Sequence, residues 1–162
     1  MSQSAVTSPL HIWLELGHRE KYRLGGWAFL RKGPGGLVGT AGGARQLDPE
    51  RASLLAFAAA VASAPDGAGV ELHTASPDIL LLPARIAAAE RGKDAPTKNL
   101  DAWAQAATAL RRVRLTTHRA QPLPGGPTAF AAAWAEFALD RARDKGAFTA
   151  VIPKSNLAKV RL

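Results

Sequence analysis

The sequence predicts an α/β protein built on a five-stranded mixed sheet, three antiparallel strands followed by two parallel ones, flanked by helices. Three observations carry that expectation. Ile12, Leu14 and Leu16 alternate with His11, Trp13 and Glu15, which is the period of a half-buried strand. Two glycine-rich punctuations, Gly25-Gly26 and Gly33-Pro34-Gly35-Gly36, cut the following stretch into the short runs of a meander. From Asp48 onward, strand-length apolar runs alternate with helical patterns, and strands joined through helices lie parallel.

Taken in order, residues 1–10 form a Ser-containing lead-in that should be flexible. The first strand carries a single acid, Glu15, and is followed by a basic loop from Gly17 to Leu24. A second strand runs from Trp27 to Lys32, and a third from Leu37 to Thr40 is closed by Gly42-Gly43. Asp48 suits an N-cap, Pro49 the first helical position and Glu50 the positive helix end, so a helix runs to about Ser63. Its inward residues are Leu54, Leu55, Phe57, Ala58 and Val61, and Pro65-Asp66-Gly67 ends it. Val70 to Thr74 reads as a fourth, central parallel strand. Ser76-Pro77-Asp78 opens a helix that Pro83 should break near Leu82, leaving a second short helix to about Glu90. After a polar connection, Asn99 caps a helix with a stripe of Leu100, Trp103, Ala107 and Leu110. Val113 to Thr117 is the fifth strand, and Arg119 to Pro127 a loop. Thr128 caps a last long helix whose buried stripe is Phe130, Ala133, Trp134, Phe137 and Ala138, ended by Gly146. The domain therefore spans 11–146, and 147–162 reads as a tail beyond it.

The length of 162 residues suits one domain with one sizeable core, and 47% hydrophobic residues exclude a chain disordered by composition. A net charge of +8 favours anionic partners, nucleic acid first. The absence of Cys excludes disulfides and thiolate metal sites and fits a reducing cytoplasm. No apolar run approaches the roughly 18 residues of a membrane span, and the first residues lack the basic start of a signal peptide. His11, His18, His73 and His118 stand at no zinc-helix spacing and read as surface or strand residues. Gly33 to Gly36 lacks the Lys-Ser/Thr of a phosphate loop, and no Ser sits in a nucleophile elbow.

Five segments, in this order, resemble ribonuclease H type 1: Trp13-Leu14-Glu15-Leu16-Gly17, Gly25-Gly26-Trp27, Gly42-Gly43, the Val70 to Ser76 strand end, and Lys98-Asn99 with Asp101 and Trp103. The resemblance covers about His11 to Lys145, and the last segment is its most specific part. It implies a fold in which four carboxylates hold two Mg²⁺ or Mn²⁺ ions that cleave the RNA strand of a hybrid. On that alignment the first acid is Glu15, with a longer side chain than the family's Asp. The other three positions are occupied by Ser53, Ala75 and Ala135, and the loop from Arg119 to Pro127 lacks the family's mobile His. Two close dications need several oxygen anions, and one carboxylate cannot supply them.

The resemblance thus implies a catalytically defective domain, with Glu15 as a remnant, no metal held, and nucleic acid bound through its backbone. The candidate contacts are His18, Arg19, Lys21 and Arg23 in the first loop, and Lys98, Asn99, Arg111, Arg112 and Arg114 around the fourth helical segment. Two alternatives stay open. One is a protein-interaction module whose tail, Phe148 to Ile152, pairs with a partner. The other is an active metal-dependent enzyme with a site rebuilt from Glu15, Glu50, Asp78 and Glu136. Neither requires a membrane.

Overall fold

In the computed structural model, which describes residues 8 to 162, a six-stranded sheet has the order β5-β4-β1-β2-β3-β6. The expected lead-in at 1–10 lies largely outside the described residues. Strand β1 (Leu10–Arg19) leads through a single 3-10 turn into β2 (Leu24–Gly33), and a two-residue turn joins that to β3 (Gly36–Ala44). These three form the antiparallel meander, with Glu15 opposite Ala28 and Trp27 opposite Gly42. Helix α1 (Pro49–Ala62) crosses to β4 (Gly69–Thr74), which pairs parallel with β1. Helices α2 (Pro77–Glu90) and α3 (Leu100–Arg111) then lead to β5 (Arg114–Arg119), parallel to β4.

The sixth strand corrects the expected count of five. After α4 (Pro127–Lys145) the chain does not leave the domain as a tail. Residues Phe148–Val151 form β6, antiparallel to β3, and the short helix α5 (Lys154–Leu157) follows. Ile152 and Leu157 are buried in the core, so this segment is part of the fold. The reason is complementary: alternate residues of β3 on that face are Leu37, Gly39 and Ala41, and the small Gly39 leaves room that Ile152 and Leu157 fill.

The sheet has two unequal faces. Ile12, Leu14, Val70 and Leu72 pack with Leu54, Phe57, Val61, Trp103 and Ala106 of α1 and α3. On the opposite face, Ala28, Leu30 and Ala41 pack with Ala135, Ala138, Ile152 and Leu157. Helix α4 covers β1, β2 and β3 on this side. It leaves β4 open, and along β4 buried Val70, Leu72 and Thr74 alternate with half-buried Glu71 and His73. The fourth strand is thus central and parallel as expected, but not covered on both sides.

Expectations for three helices change. Pro83 sits inside one continuous α2 and does not break it. A helix-interior proline loses one hydrogen bond, and packing of Ile79, Leu82 and Ile86 on either side of it holds the helix together. Gly126 and Pro127, not Thr128, start α4, and Thr128 is buried. The buried face of α4 is Thr128, Ala131, Ala135, Ala138, Leu139 and Ala142, whereas Phe137 is 66% exposed and Ala133 lies outside. The cause is Gly26: a Cβ there would stand 2.4 Å from the Leu139 nitrogen and 2.7 Å from the Ala135 oxygen. The α4 backbone lies directly on β2, and only small side chains fit between them. In α3 the stripe likewise shifts to Ala102, Trp103, Ala106 and Ala109, leaving Leu100 exposed.

Candidate nucleic-acid interface and degenerate acid site

Glu15 is buried, facing the α4 side of the sheet. Its position follows from register. Trp13 pairs with His73, so Glu15, two residues on, lies level with Ala75 just past the end of β4. The Ala75 N–H donates to the Glu15 Oε2 at 2.8 Å. Burial pushes the Glu15 carboxyl up to about 7, against the Ala75 N–H and the Thr74 hydroxyl, which pull it down.

The residues at the three other acid positions are committed to packing. Ser53 is buried in α1, and its hydroxyl donates to the Pro49 carbonyl at 3.0 Å. Ala75 offers the N–H that caps Glu15. Ala135 packs in one cluster with Ala28, which faces Glu15 across the β1–β2 ladder. The acids of the rebuilt alternative are dispersed. Glu50 accepts from the Asn99 amide at 3.1 Å and from Arg85 at 2.9 Å. Glu136 pairs with Arg19 at 2.6 Å above Gly17, and Asp78 is exposed in the first turn of α2. Among the described residues, no three His, Asp or Glu side chains are grouped to hold a metal. The residues present do not fit a two-ion centre: among the described residues Glu15 is the one buried carboxylate there, and no further acids are grouped with it to hold a metal.

The basic candidates separate into two groups. His18, Arg23, Lys98 and Asn99 converge on the first turn of α1. The His18 Nε2 donates to the Leu47 carbonyl at 2.7 Å, and the Leu47 N–H donates to the Arg23 carbonyl at 2.9 Å. Asn99 does not cap α3 with its side chain, contrary to expectation. Its amide instead donates to Asp48 and Glu50. Burial pushes Asp48 up, but the Arg51 N–H, the Asn99 amide and the nearby Lys98 and Arg23 outweigh it and hold its carboxyl below the usual range. That charge effect places the Lys98 and Arg23 cations close to one carboxylate, although 75 residues separate them in the chain. Lys21 is exposed beside them on the turn, over the Tyr22 ring.

Arg23, Gln46 and Asn99 all adopt left-handed backbone, with φ of 52°, 60° and 56°. Each conformation costs about 1 kcal/mol or more for a residue with a Cβ. Three of them surround one helix start, held by the contacts just described. Sequence reasoning found Asp48 only as a cap and missed Gln46, Glu50, Arg51 and Arg85 as parts of this cluster. Arg51 is tied by two hydrogen bonds of 2.8 Å to Asp101.

The other candidates lie elsewhere. Arg112 binds Asp66 and the Ala62 and Ala64 carbonyls at the far end of α1, about 20 Å from its first turn by helix rise. Arg111 pairs with Glu90, and Arg19 with Glu136. Arg114 starts β5, with a guanidinium nitrogen 3.9 Å from where a Gly69 Cβ would be.

No family model and no curated protein matches the sequence. Solved structures match its shape. LC9-RNase H1, described as a type 1 RNase H with the type 2 active-site motif, aligns with a TM-score of 0.64 at 18% identity, over 99% of this chain and 89% of that one. The N-terminal RNase H domain of a Mycobacterium tuberculosis protein gives 0.58 at 14% identity, over 84% and 96%. RNase H1 from the halophilic archaeon Halobacterium salinarum gives 0.56 at 15%, over 86% and 100%. The fold is that of an RNase H-like domain. A sixth strand extends the meander side of its sheet. No helix among the described residues is long and apolar enough to cross a membrane.

Proposed function

We propose that this RNase H-like domain binds the backbone of an RNA–DNA hybrid or duplex and does not cleave it. The observation that carries the reading is the pairing of Glu15 with the Ala75 N–H. At the point where the fold needs a second carboxylate to share a divalent ion, the chain supplies a hydrogen-bond donor to the first. A metal brought there would meet one buried carboxylate, with no second acid grouped beside it. Phosphate contacts make no such demand, because flexible exposed cations suffice. Lys21, Arg23 and Lys98 are exposed, Arg23 and Lys98 lie near Asp48 at the start of α1, and the Asn99 amide donates to Asp48 and Glu50 there. The protein-interaction alternative has less support, since its segment is not a free tail: one edge is already paired as β6 with β3.

The test is fluorescence anisotropy with labelled hybrid, duplex and single strand across a salt series, together with a cleavage assay in Mg²⁺ and Mn²⁺. The expected result is sequence-independent binding that weakens steeply with salt, with a log–log slope near −0.9 per phosphate contact on duplex. Replacing Lys21, Arg23 and Lys98 together by Ala flattens the slope. Hybrid stays intact with either metal. Cleavage abolished by Glu15→Gln would overturn the reading, as would no binding at low salt.

A further inference from the structure

We propose that His11, Glu71, His73 and His118 form a binding site for a divalent transition metal of the zinc type on the open face of the sheet. The site is separate from the nucleic-acid reading and does not rest on it. Register builds it. Trp13, His73 and His118 are direct neighbours across β1, β4 and β5, and His11 and Glu71 are direct neighbours one pleat away on the same face. Helix α4 leaves β4 uncovered there, so these side chains are only partly buried. Three of the four histidines in the chain thus meet on one surface, although 107 positions separate His11 from His118 in sequence.

The distances suit nitrogen ligation. The His11 Nδ1 and His73 Nε2 are 3.0 Å apart. Zinc sits about 2.0–2.1 Å from an imidazole nitrogen, so two ligand nitrogens on one tetrahedral ion stand roughly 3.3–3.4 Å apart, slightly wider than this hydrogen-bonded pair. The His118 ring stacks on His73, with centroids 5.0 Å apart, and its Nε2 donates to the Glu71 Oε2 at 2.6 Å. At rest the four donors are therefore paired off, His11 with His73 and His118 with Glu71, and not gathered at one point. Glu71 and His118 have side chains 28% and 44% exposed, which leaves them free to swing towards the first pair. Binding replaces the two hydrogen bonds by metal–ligand bonds, and each imidazole stays neutral, its one ring proton moving through solvent to the nitrogen that does not ligate. Trp13 stacks against both His11 and His73 and holds their ring planes. Three imidazoles and one carboxylate on adjacent strands make a nitrogen-rich set, which selects zinc, copper or nickel over magnesium. Bound metal would tie β5, paired only to β4, to the centre of the sheet.

Calorimetric titration of the full chain with ZnCl₂, NiCl₂ and MgCl₂ at pH 7.5 tests the site. The expected result is one equivalent of zinc or nickel taken up saturably, with no comparable magnesium uptake. His11→Ala and His73→Ala should each weaken zinc binding by roughly tenfold or more. His18→Ala should leave zinc uptake unchanged. Zinc at a hundredfold excess over its Kd should raise the Tm by roughly 5–10 °C, and His73→Ala should abolish that rise. Should His73→Ala fail to fold, His118→Ala on the edge strand provides the same comparison. Absence of saturable zinc uptake would overturn the proposal. So would uptake unaffected by the His11, His73 and His118 substitutions, or magnesium bound as tightly as zinc.

Discussion

The chemistry of Glu15 turns on one backbone amide. A carboxylate buried on a sheet face is costly to ionise unless hydrogen bonds or a cation compensate. The Ala75 N–H and the Thr74 hydroxyl compensate only in part, and the group stays at about 7. That makes it a stability determinant with a definite sign. Between its unfolded value, near 4.5, and its folded value, near 7, the folded chain holds a proton that the unfolded chain has lost. Stability from this group therefore falls as pH rises through that window. Glu15→Gln removes the ionisation while its side-chain oxygen can still accept from Ala75. At pH 8 the variant should be more stable than the parent by on the order of 3 kcal/mol, and the gain should nearly vanish at pH 4. Urea unfolding at the two pH values measures it. An equal effect at both would show that Glu15 is not held above its ordinary range. That Glu15 is the only acid of the first strand was legible from the sequence. The hydrogen bond from Ala75 was not, because it depends on the β1–β4 register and on where β4 ends.

At the scale of elements, the glycines of β2 decide how the sheet and α4 meet. Gly26→Ala would place a Cβ against two backbone atoms of α4, at 2.4 and 2.7 Å, and backbone cannot rotate aside as a side chain can. The expected cost is about 2–3 kcal/mol, typical of overpacking in a filled core. Gly35, in the β2–β3 turn, has nothing within 4 Å of its Cβ position and no positive φ, so Gly35→Ala should be near neutral. Comparing the two variants by denaturant midpoint separates close approach from loss of glycine as such. The same contact explains why the α4 stripe could not be read from its aromatics. Phe130, Trp134 and Phe137 are the aromatic residues, yet the close approach at Gly26 and Gly43 is made by the α4 backbone at Ala135, Ala138 and Leu139 and by Ala142. The helix starts at Asp48-Pro49 and Ser76-Pro77 were legible, because a cap acts within three residues. Strand β6 was not, since four residues after a helix carry no period and gain their place only from the space beside Gly39. The histidine face escaped for a similar reason: the parity of residues on three strands is fixed by pairing, which no local pattern encodes.

For the whole molecule, the surplus charge matters less than where it is left unpaired. The net +8 includes cations already engaged: Arg19, Arg51, Arg85, Arg111 and Arg112 all face carboxylates. An arginine in direct salt-bridge contact presents little net field to a phosphate, whereas Lys21, Arg23 and Lys98 are exposed and in no direct salt bridge among the described residues, with Arg23 and Lys98 near Asp48 at the start of α1. The sequence gathered Arg111, Arg112 and Arg114 with Lys98 because they are close in number, but α3 separates them by its own length. Arg112 has a structural task, joining the end of α1 to the end of α3 through the Ala62 and Ala64 carbonyls. Arg112→Ala leaves those carbonyls without their guanidinium donor and should cost about 1–3 kcal/mol of stability. It should leave the salt dependence of nucleic-acid binding unchanged at a temperature where the variant is folded. The Lys21, Arg23 and Lys98 triple variant should do the reverse, keeping the unfolding midpoint and losing up to about 2.7 from the log–log slope on duplex, at about 0.9 per contact. Measuring both quantities on both variants gives four results. A slope that falls with Arg112→Ala and stays with the triple variant would move the binding surface to the opposite end of α1.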